Sequence, residues 1–157
     1  MNKGEPGAPV KVVAQNKKAR FDYHIIETFE AGIVLTGAEI KSIRANGISL
    51  AESYIRPERD EVYLLNAHIK PYSFSSDKEF DPVRKRKLLL KKREIDKLRG
   101  RVEQKGLTIV PLSLYLKRGL AKLEIGLAKG KAAPDKRQTM KERESKRELD
   151  RALKRGK

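Results

Sequence analysis

The chain of 157 residues has 37 Lys or Arg against 21 Asp or Glu, a net charge of +16, and no Cys. It is long enough for one domain with extensions, and disulfides, thiolate zinc sites and apolar membrane spans of about 18 residues are excluded. The excess of positive charge favours nucleic acid or an acidic membrane as partner, and the lack of a secretory signal favours a cytoplasmic protein.

The N-terminal fifteen residues are predicted to form a flexible, irregular arm, because two Gly and two Pro residues interrupt them. At most a short strand fits residues 10–14. A polar and basic cluster follows, in which side chains suited to phosphate binding are Asn16, Lys17, Lys18 and Arg20. Simple solvation of these side chains is the alternative interpretation.

Residues 21–31 alternate apolar and polar side chains and predict a strand. Gly32 is expected to mark a bend or bulge before a second short strand at 33–35. The sequence GAEIKSIRANG then favours a short helix that stops at Gly47 and exposes Lys41 and Arg44.

Two strands are predicted at 50–56 and 62–69, with a charged turn between them and a polar loop at 71–82. The basic run VRKRKLLL precedes an amphipathic helix over 92–104. Its cations Arg84, Lys85 and Arg86 are candidate RNA contacts, as are Lys41 and Arg44. Gly100 inside that helix indicates close packing or a weak point. Strands at 107–116 and 120–127 close the body, and Pro111 makes the first an edge or bulged strand.

These elements predict a mainly β protein with flanking helices. We expect an antiparallel, closed or nearly closed OB-type barrel of about six strands with two to three helices. The RNA-binding domain would span 16–128, and the barrel interior would hold the alternating apolar side chains.

The last 29 residues, 129–157, contain twelve Lys or Arg and five Asp or Glu, but no aromatic residue. Such a segment buries too little apolar surface to order by itself. Glu142 with Lys146, and Asp150 with Lys154, have the i,i+4 spacing that supports a helix. We interpret the tail as a segment that is disordered or conditionally helical and folds against a polyanion. A solvated tail kept for solubility is the alternative.

Catalytic or metal chemistry has little support in the residues. His24 and His68 are the only histidines, and neither has the spacing to carboxylates that a metal site requires. The sequence therefore predicts no enzyme, no cofactor and no metal. Most aromatic residues lie in predicted strands and are expected in the core, Tyr115 among them, whereas Tyr72, Phe74 and Phe80 lie in a loop and are candidates for stacking on bases.

Glu30 is an acid beside Gly32 in a very basic protein. A carboxylate can accept hydrogen bonds from base amino groups or a ribose hydroxyl, so we consider Glu30 a candidate RNA contact. An exposed strand residue without a role is the alternative.

Several blocks in order, including NKKARFDYHIIETFEAGIVLTGAEIKSIR, RKRKLLLKKREIDKLRGRVEQKG and TIVPLSLYLKRGLAKLEIGLAKGK, resemble the SsrA-binding protein family (small protein B, SmpB). The resemblance covers residues 16 to about 148. It implies an OB-type barrel that binds transfer-messenger RNA in trans-translation. Delivery to a stalled 70S ribosome would involve elongation factor Tu, and the tail would enter the decoding centre and the empty mRNA channel. A general single-strand-binding OB module is the alternative function.

The resemblance also implies site residues. Glu30, Leu90 and Asn16 match family positions at the transfer-messenger RNA interface. In the tail, the positions that match those engaging the ribosome are Lys129, Lys131, Asp135, Lys136 and Arg137. The predicted partners are thus this RNA, the ribosome and the elongation factor, with a monomeric protein and no membrane.

Overall fold

The computed structural model describes residues 10–72, 80–103, 106–131, 143–144 and 146–149. The strands are β1 Val10–Gln15, β2 Tyr23–Ile33, β3 Ile48–Ser49, β4 Tyr54–Glu58, β5 Glu61–Leu65, β6 His68–Ile69, β7 Arg86–Leu89, β8 Leu107–Lys117 and β9 Leu120–Gly130. The helices are α1 Lys17–Asp22, α2 Gly37–Arg44 and α3 Lys92–Val102. Residues 143–144 and 146–149 of the tail are also helical.

Seven strands form one antiparallel sheet in the order β1-β8-β9-β2-β7-β5-β4, and β3 pairs with β6 in a second, small sheet. The long sheet curls, so that β4 packs against β8 and β3 packs against β1. The predicted antiparallel, mainly β class with flanking helices is therefore confirmed, although the described strands number nine rather than six.

The inner side of the curled sheet holds the core. Alternating side chains of β5, β8 and β9 are fully buried, including Leu64, Leu114, Leu123 and Ile125. Each such side chain removed from water contributes about 1.5–3 kcal/mol to folding. The opposite sides of the same strands remain available for polar and basic residues.

Three predictions about the first half of the chain are wrong. The predicted strand beginning at residue 21 starts at Tyr23, because helix α1 occupies Lys17–Asp22. Gly32 marks no bend, since β2 runs through it, and the irregularity in β2 lies between Ile25 and Glu27. The strand predicted at 50–56 starts only at Tyr54, because residues 51–52 form a turn, and the strand predicted at 62–69 divides in two at Asn66, which has a positive φ.

In the second half of the chain, the structure agrees more closely with the elements predicted from the sequence. Strands β8 and β9 match the predicted pair, and α3 is amphipathic, with Leu98 buried and Ile95 packed against the core. β8 is an inner strand rather than an edge, and it accommodates Pro111 through a bulge between Pro111 and Ser113. β7 was not predicted. Gly100 lies on an exposed turn of α3, where an added Cβ meets nothing within 4 Å, so close packing there is also excluded.

Helix α2 ends as the sequence predicts, because nothing larger than Gly fits at position 47. The N–H of Gly47 donates to the carbonyl of Ser42, and a Cβ at position 47 would lie 2.9 Å from that oxygen and overlap the Ser42 hydroxyl. We expect Gly47→Ala to lower the free energy of unfolding by about 1–3 kcal/mol in urea denaturation. Gly100→Ala is the matched control and is expected to raise the free energy of unfolding by about 0.5–1 kcal/mol. Equal stability of the two variants would contradict this explanation of the helix end.

Candidate nucleic-acid interface

Asn16 organises the start of α1 rather than offering its amide to a ligand. Its Oδ1 accepts from the N–H of Ala19 at 3.2 Å, and its Nδ2 donates to the carbonyl of Pro111 at 3.0 Å. The side chain is buried, and both ends of the amide are engaged. The structure therefore gives Asn16 the role of an N-cap, which holds the exposed Lys17 and Lys18 against β8, and its contact with RNA stays a prediction.

Glu30 lies in a polar cluster on the partly exposed side of the sheet. It stands directly opposite Glu124 on the neighbouring strand. The guanidinium of Arg20 contacts Glu124 at 2.8 Å, while the hydroxyl of Tyr115 donates to Glu30 Oε2 and the ammonium of Lys117 lies 4.0 Å from that oxygen. We call these five residues the Glu30 face.

The arrangement keeps two acids side by side without strong repulsion. Like charges directly opposite each other in a sheet are destabilising, and here each carboxylate has its own cation nearby. Burial and the hydrogen bond to Glu30 raise the pKa of Tyr115 far above its ordinary value of 10.0, so its hydroxyl remains a donor at neutral pH.

Glu30 and Leu90 line one surface groove. Leu90 follows β7, which pairs with β2 next to Gly32. The groove is lined by Glu30, Gly32, Leu89, Leu90, Lys91, Glu94 and Lys122. It combines apolar side chains, two acids and two Lys residues, a mixture suited to a base edge and its phosphate.

Arg86 is not at the surface. Its side chain is 0% exposed, and Nε donates to Glu39 Oε2 at 2.6 Å. Its other nitrogens donate to the carbonyls of Ala67 at 2.9 Å and Pro82 at 3.2 Å. Arg84, at 37% exposure, contacts the second oxygen of Glu39 at 2.6 Å. The predicted role of Arg86 in RNA binding is therefore wrong, and its charge holds α2 to β7 instead.

The remaining predicted cations are separate from the Glu30 face. Lys41 and Arg44 are exposed on α2, which packs against β6. Lys85 contacts Glu58 at 2.6 Å and lies 4.2 Å from the centre of the Tyr63 ring. Of these three, Lys41 and Arg44 present charge to solvent, whereas Lys85 is engaged with β4 and β5.

The first tail residues belong to the body. Lys129 lies in β9 opposite His24, and the N–H of Lys131 donates to the carbonyl of Asp22 at 2.9 Å. The other predicted tail contacts, Asp135, Lys136 and Arg137, lie outside the described residues. Farther along, the guanidinium of Arg143 lies 5.4 Å from the centre of the Phe21 ring.

Sequence reasoning missed Tyr115 as a member of the Glu30 face. It was expected in the core, but SLYLK alternates polar and apolar residues, and this pattern places Tyr115 and Lys117 on the side opposite Leu114. Phe80, a candidate for stacking, packs against the core instead. Phe74 lies outside the described residues.

Within the described ranges, no group of three or more His, Cys, Asp or Glu side chains is arranged to hold a metal ion. In the same ranges, no helix has both the length and the apolar character needed to cross a membrane.

Comparison with known proteins gives consistent matches over nearly the whole chain. The family model described as SmpB protein matches residues 13–155. The SsrA-binding protein of Halalkalibacterium halodurans is 57% identical over 144 residues, 92% of this chain and 94% of the relative. That of Thermosynechococcus vestitus is 52% identical over 149 residues, 94% of this chain and 98% of the relative.

A solved structure agrees with these relatives. It is described as "tmRNA-SmpB: a journey to the center of the bacterial ribosome", and the matched chain is 53% identical to this one with a TM-score of 0.64. The match covers 80% of this chain and 87% of the other. Sequence and fold thus point to the same group of proteins.

Proposed function

The chain belongs to the SmpB protein family, and on that premise we propose that it is an RNA-binding adaptor of trans-translation. Its RNA partner is transfer-messenger RNA, also called SsrA. The observation that carries the proposal is the family match over residues 13–155, together with 52% identity to a curated SsrA-binding protein over 94% of this chain. The adaptor works by binding and placement, without catalysis of its own.

The tRNA-like domain of the RNA binds at the Glu30 face and the adjoining groove. Glu30 accepts from base or ribose donors, and Leu90 supplies an apolar contact in the same groove. Lys17 and Lys18 on α1, with Lys41 and Arg44 on α2, attract phosphates from exposed positions. Asn16 and Arg86 support this surface from inside the protein.

The tail carries the ribosomal half of the function. Lys129 and Lys131 mark its departure from the body, and Asp135, Lys136 and Arg137 engage the decoding centre. The following residues occupy the empty mRNA channel, where ribosomal RNA phosphates neutralise the excess cations and favour a helix. Since β1 begins at Val10 and Lys131 is hydrogen-bonded to Asp22, the proposed domain boundaries are 1–9 for the arm, 10–131 for the RNA-binding domain and 132–157 for the tail.

The wider setting follows from this role. The protein acts as a monomer in the cytoplasm and reaches the stalled ribosome in a complex of transfer-messenger RNA with elongation factor Tu. A cation-rich surface increases the rate of encounter with either RNA.

Glu30→Ala and Leu90→Asp are each expected to weaken binding of transfer-messenger RNA about tenfold or more, because few contacts dominate most interfaces. The measurement is a competition assay in which folded transfer-messenger RNA and an unstructured RNA of equal length compete for the protein. Glu61→Ala and Leu120→Asp are the matched controls. Glu61 lies on β5, and Leu120 is 61% exposed but does not line the groove.

Circular dichroism establishes that each variant is folded. Equal competition by the unstructured RNA would contradict the proposal and favour the general single-strand-binding module. An equal loss of transfer-messenger RNA binding in the control variants would contradict the assignment of Glu30 and Leu90 to the RNA interface.

A further inference from the structure

We propose that Tyr115 is a positioning residue that orients the carboxylate of Glu30 toward the RNA. The inference rests on the proposed function and deepens it, since it assigns a specificity role to a residue that touches Glu30. Its basis is the geometry of the Glu30 face: the hydroxyl of Tyr115 donates to Oε2 of Glu30, whereas the ammonium of Lys117 lies 4.0 Å from the same oxygen.

The choice of oxygen matters. Both Tyr115 and Lys117 approach Oε2, and among the described residues none hydrogen-bonds to Oε1. Glu30 is 25% exposed, so the carboxylate is accessible while one of its oxygens is fixed. This leaves Oε1 as the acceptor for an N–H or O–H group of the ligand.

Charge explains why orientation is needed. A carboxylate repels the phosphates of RNA. Glu30 therefore contributes favourable binding energy only where a base amino or imino group or a ribose hydroxyl donates a hydrogen bond to it. Lys117 lies 4.0 Å from Oε2, at the limit of an ion pair. Without the Tyr115 hydroxyl, the carboxylate is free to turn toward that ammonium and lose its direction.

Arg20 completes the arrangement by holding Glu124. Glu124 stands opposite Glu30 in the register, and its contact with Arg20 at 2.8 Å keeps this neighbouring charge from displacing the Glu30 carboxylate. The face therefore assigns a separate partner to each acid.

The chain offers a matched control for this hydrogen bond. The hydroxyl of Tyr63 donates to Glu61 Oε2, which is the same pair of groups on another part of the sheet. Tyr63→Phe removes an equivalent hydrogen bond from residues that do not belong to the Glu30 face. Any general effect of losing a Tyr–Glu bond appears in both variants.

The test is a double-mutant cycle with Tyr115→Phe and Glu30→Gln in the full-length protein, with the Kd for transfer-messenger RNA as the measurement. Tyr115→Phe is expected to weaken binding about three- to tenfold in the presence of Glu30, and less than twofold in the Glu30→Gln background. Tyr63→Phe is expected to leave the Kd unchanged. Binding of an unstructured RNA, which depends on cations, is expected to be the same for all variants.

A spectroscopic readout tests the contact independently of RNA. In wild type, ultraviolet absorbance is expected to show one tyrosine that ionises at a higher pH than in Glu30→Gln, because the carboxylate opposes formation of the Tyr115 phenolate. An unchanged tyrosine titration in Glu30→Gln would overturn the proposal.

The binding outcomes separate the two levels of inference. An equal loss from Tyr115→Phe in both backgrounds, or no loss while Glu30→Gln weakens binding, overturns the positioning role and leaves the proposed function standing. No loss from Glu30→Gln overturns the positioning role together with the assignment of Glu30 to the RNA interface.

Discussion

Glu39→Ala is expected to lower the free energy of unfolding by about 3–5 kcal/mol, because it leaves a buried cation without its carboxylate. Arg86 is 0% exposed and Glu39 is 1% exposed, so water cannot replace the lost partner. Arg86 keeps the carbonyls of Ala67 and Pro82, but these do not neutralise its charge. Arg84 is partly exposed, so its guanidinium loses less stabilisation than that of Arg86 when the carboxylate is removed.

Urea denaturation of wild type and variant measures this effect. Glu52→Ala is the control, since Glu52 is exposed in a turn and its replacement is expected to change stability by at most about 0.5 kcal/mol. Arg86→Met with Glu39→Leu replaces the pair by apolar side chains and is expected to recover part of the loss. A loss below about 1 kcal/mol from Glu39→Ala would show that the ion pair does not stabilise the fold as described.

The same pair gives a pH dependence with a defined sign. Burial alone would raise the pKa of Glu39, but hydrogen bonds from Arg84, the N–H of Thr36 and Arg86 outweigh it and hold that pKa below its ordinary value of 4.5. A depressed pKa in the folded state stabilises the fold fully above 4.5, and the contribution is lost as the pH falls through the folded pKa. The stability difference between wild type and Glu39→Gln is therefore expected to shrink below pH 4.5. A difference that grew on acidification would contradict this sign.

Truncation after Lys131 is expected to abolish peptide tagging on stalled ribosomes while the Kd for transfer-messenger RNA changes less than about threefold. The proposed RNA contacts lie on the body, whereas three of the proposed ribosomal contacts, Asp135, Lys136 and Arg137, lie beyond residue 131. The cut is placed there because β9 runs through Gly130 and the N–H of Lys131 donates to Asp22, so an earlier end would remove part of the sheet.

Two measurements are needed, a binding assay and a reconstituted tagging reaction that follows the added peptide. The matched variant is the full-length chain with Asp135, Lys136 and Arg137 replaced by Ala, which is expected to bind the RNA normally and to tag poorly. Tagging by the truncated protein would contradict the division of labour between body and tail. A large loss of RNA binding would show that the tail belongs to the RNA interface.

The parts of the fold that the sequence predicted are those with a long, regular pattern. β8 and β9 are eleven residues long and alternate over part of that length, and α2 has a capping box at Thr36 and Glu39 that marks its start. α1 was missed because its six residues include Phe21 next to a β-rich run, and its N-cap depends on a distant bond to Pro111. Tertiary contacts determine the structure of that segment, and they cannot be predicted from a local sequence pattern.

Prediction of the candidate site was limited in the same way, by contacts between distant parts of the chain. Resemblance selected Glu30 and Leu90, and the structure brings both to one groove. Charge alone selected Arg86, which the fold buries against Glu39, an acid 47 positions earlier. Alternation in β8 contained the signal for Tyr115, but its hydrogen bond to Glu30 depends on a register between strands that no single segment encodes.

The register of the sheet also affects the order in which the fold forms during synthesis. Val10 of β1 pairs with Lys117 of β8, and Glu30 of β2 pairs with Glu124 of β9. β1 and most of β2 therefore have no partner strand until β8 and β9 have been synthesised, and such distant pairings slow folding. The nascent protein exposes unpaired β1 and β2 for most of its synthesis, a period in which unpaired strands are prone to aggregate.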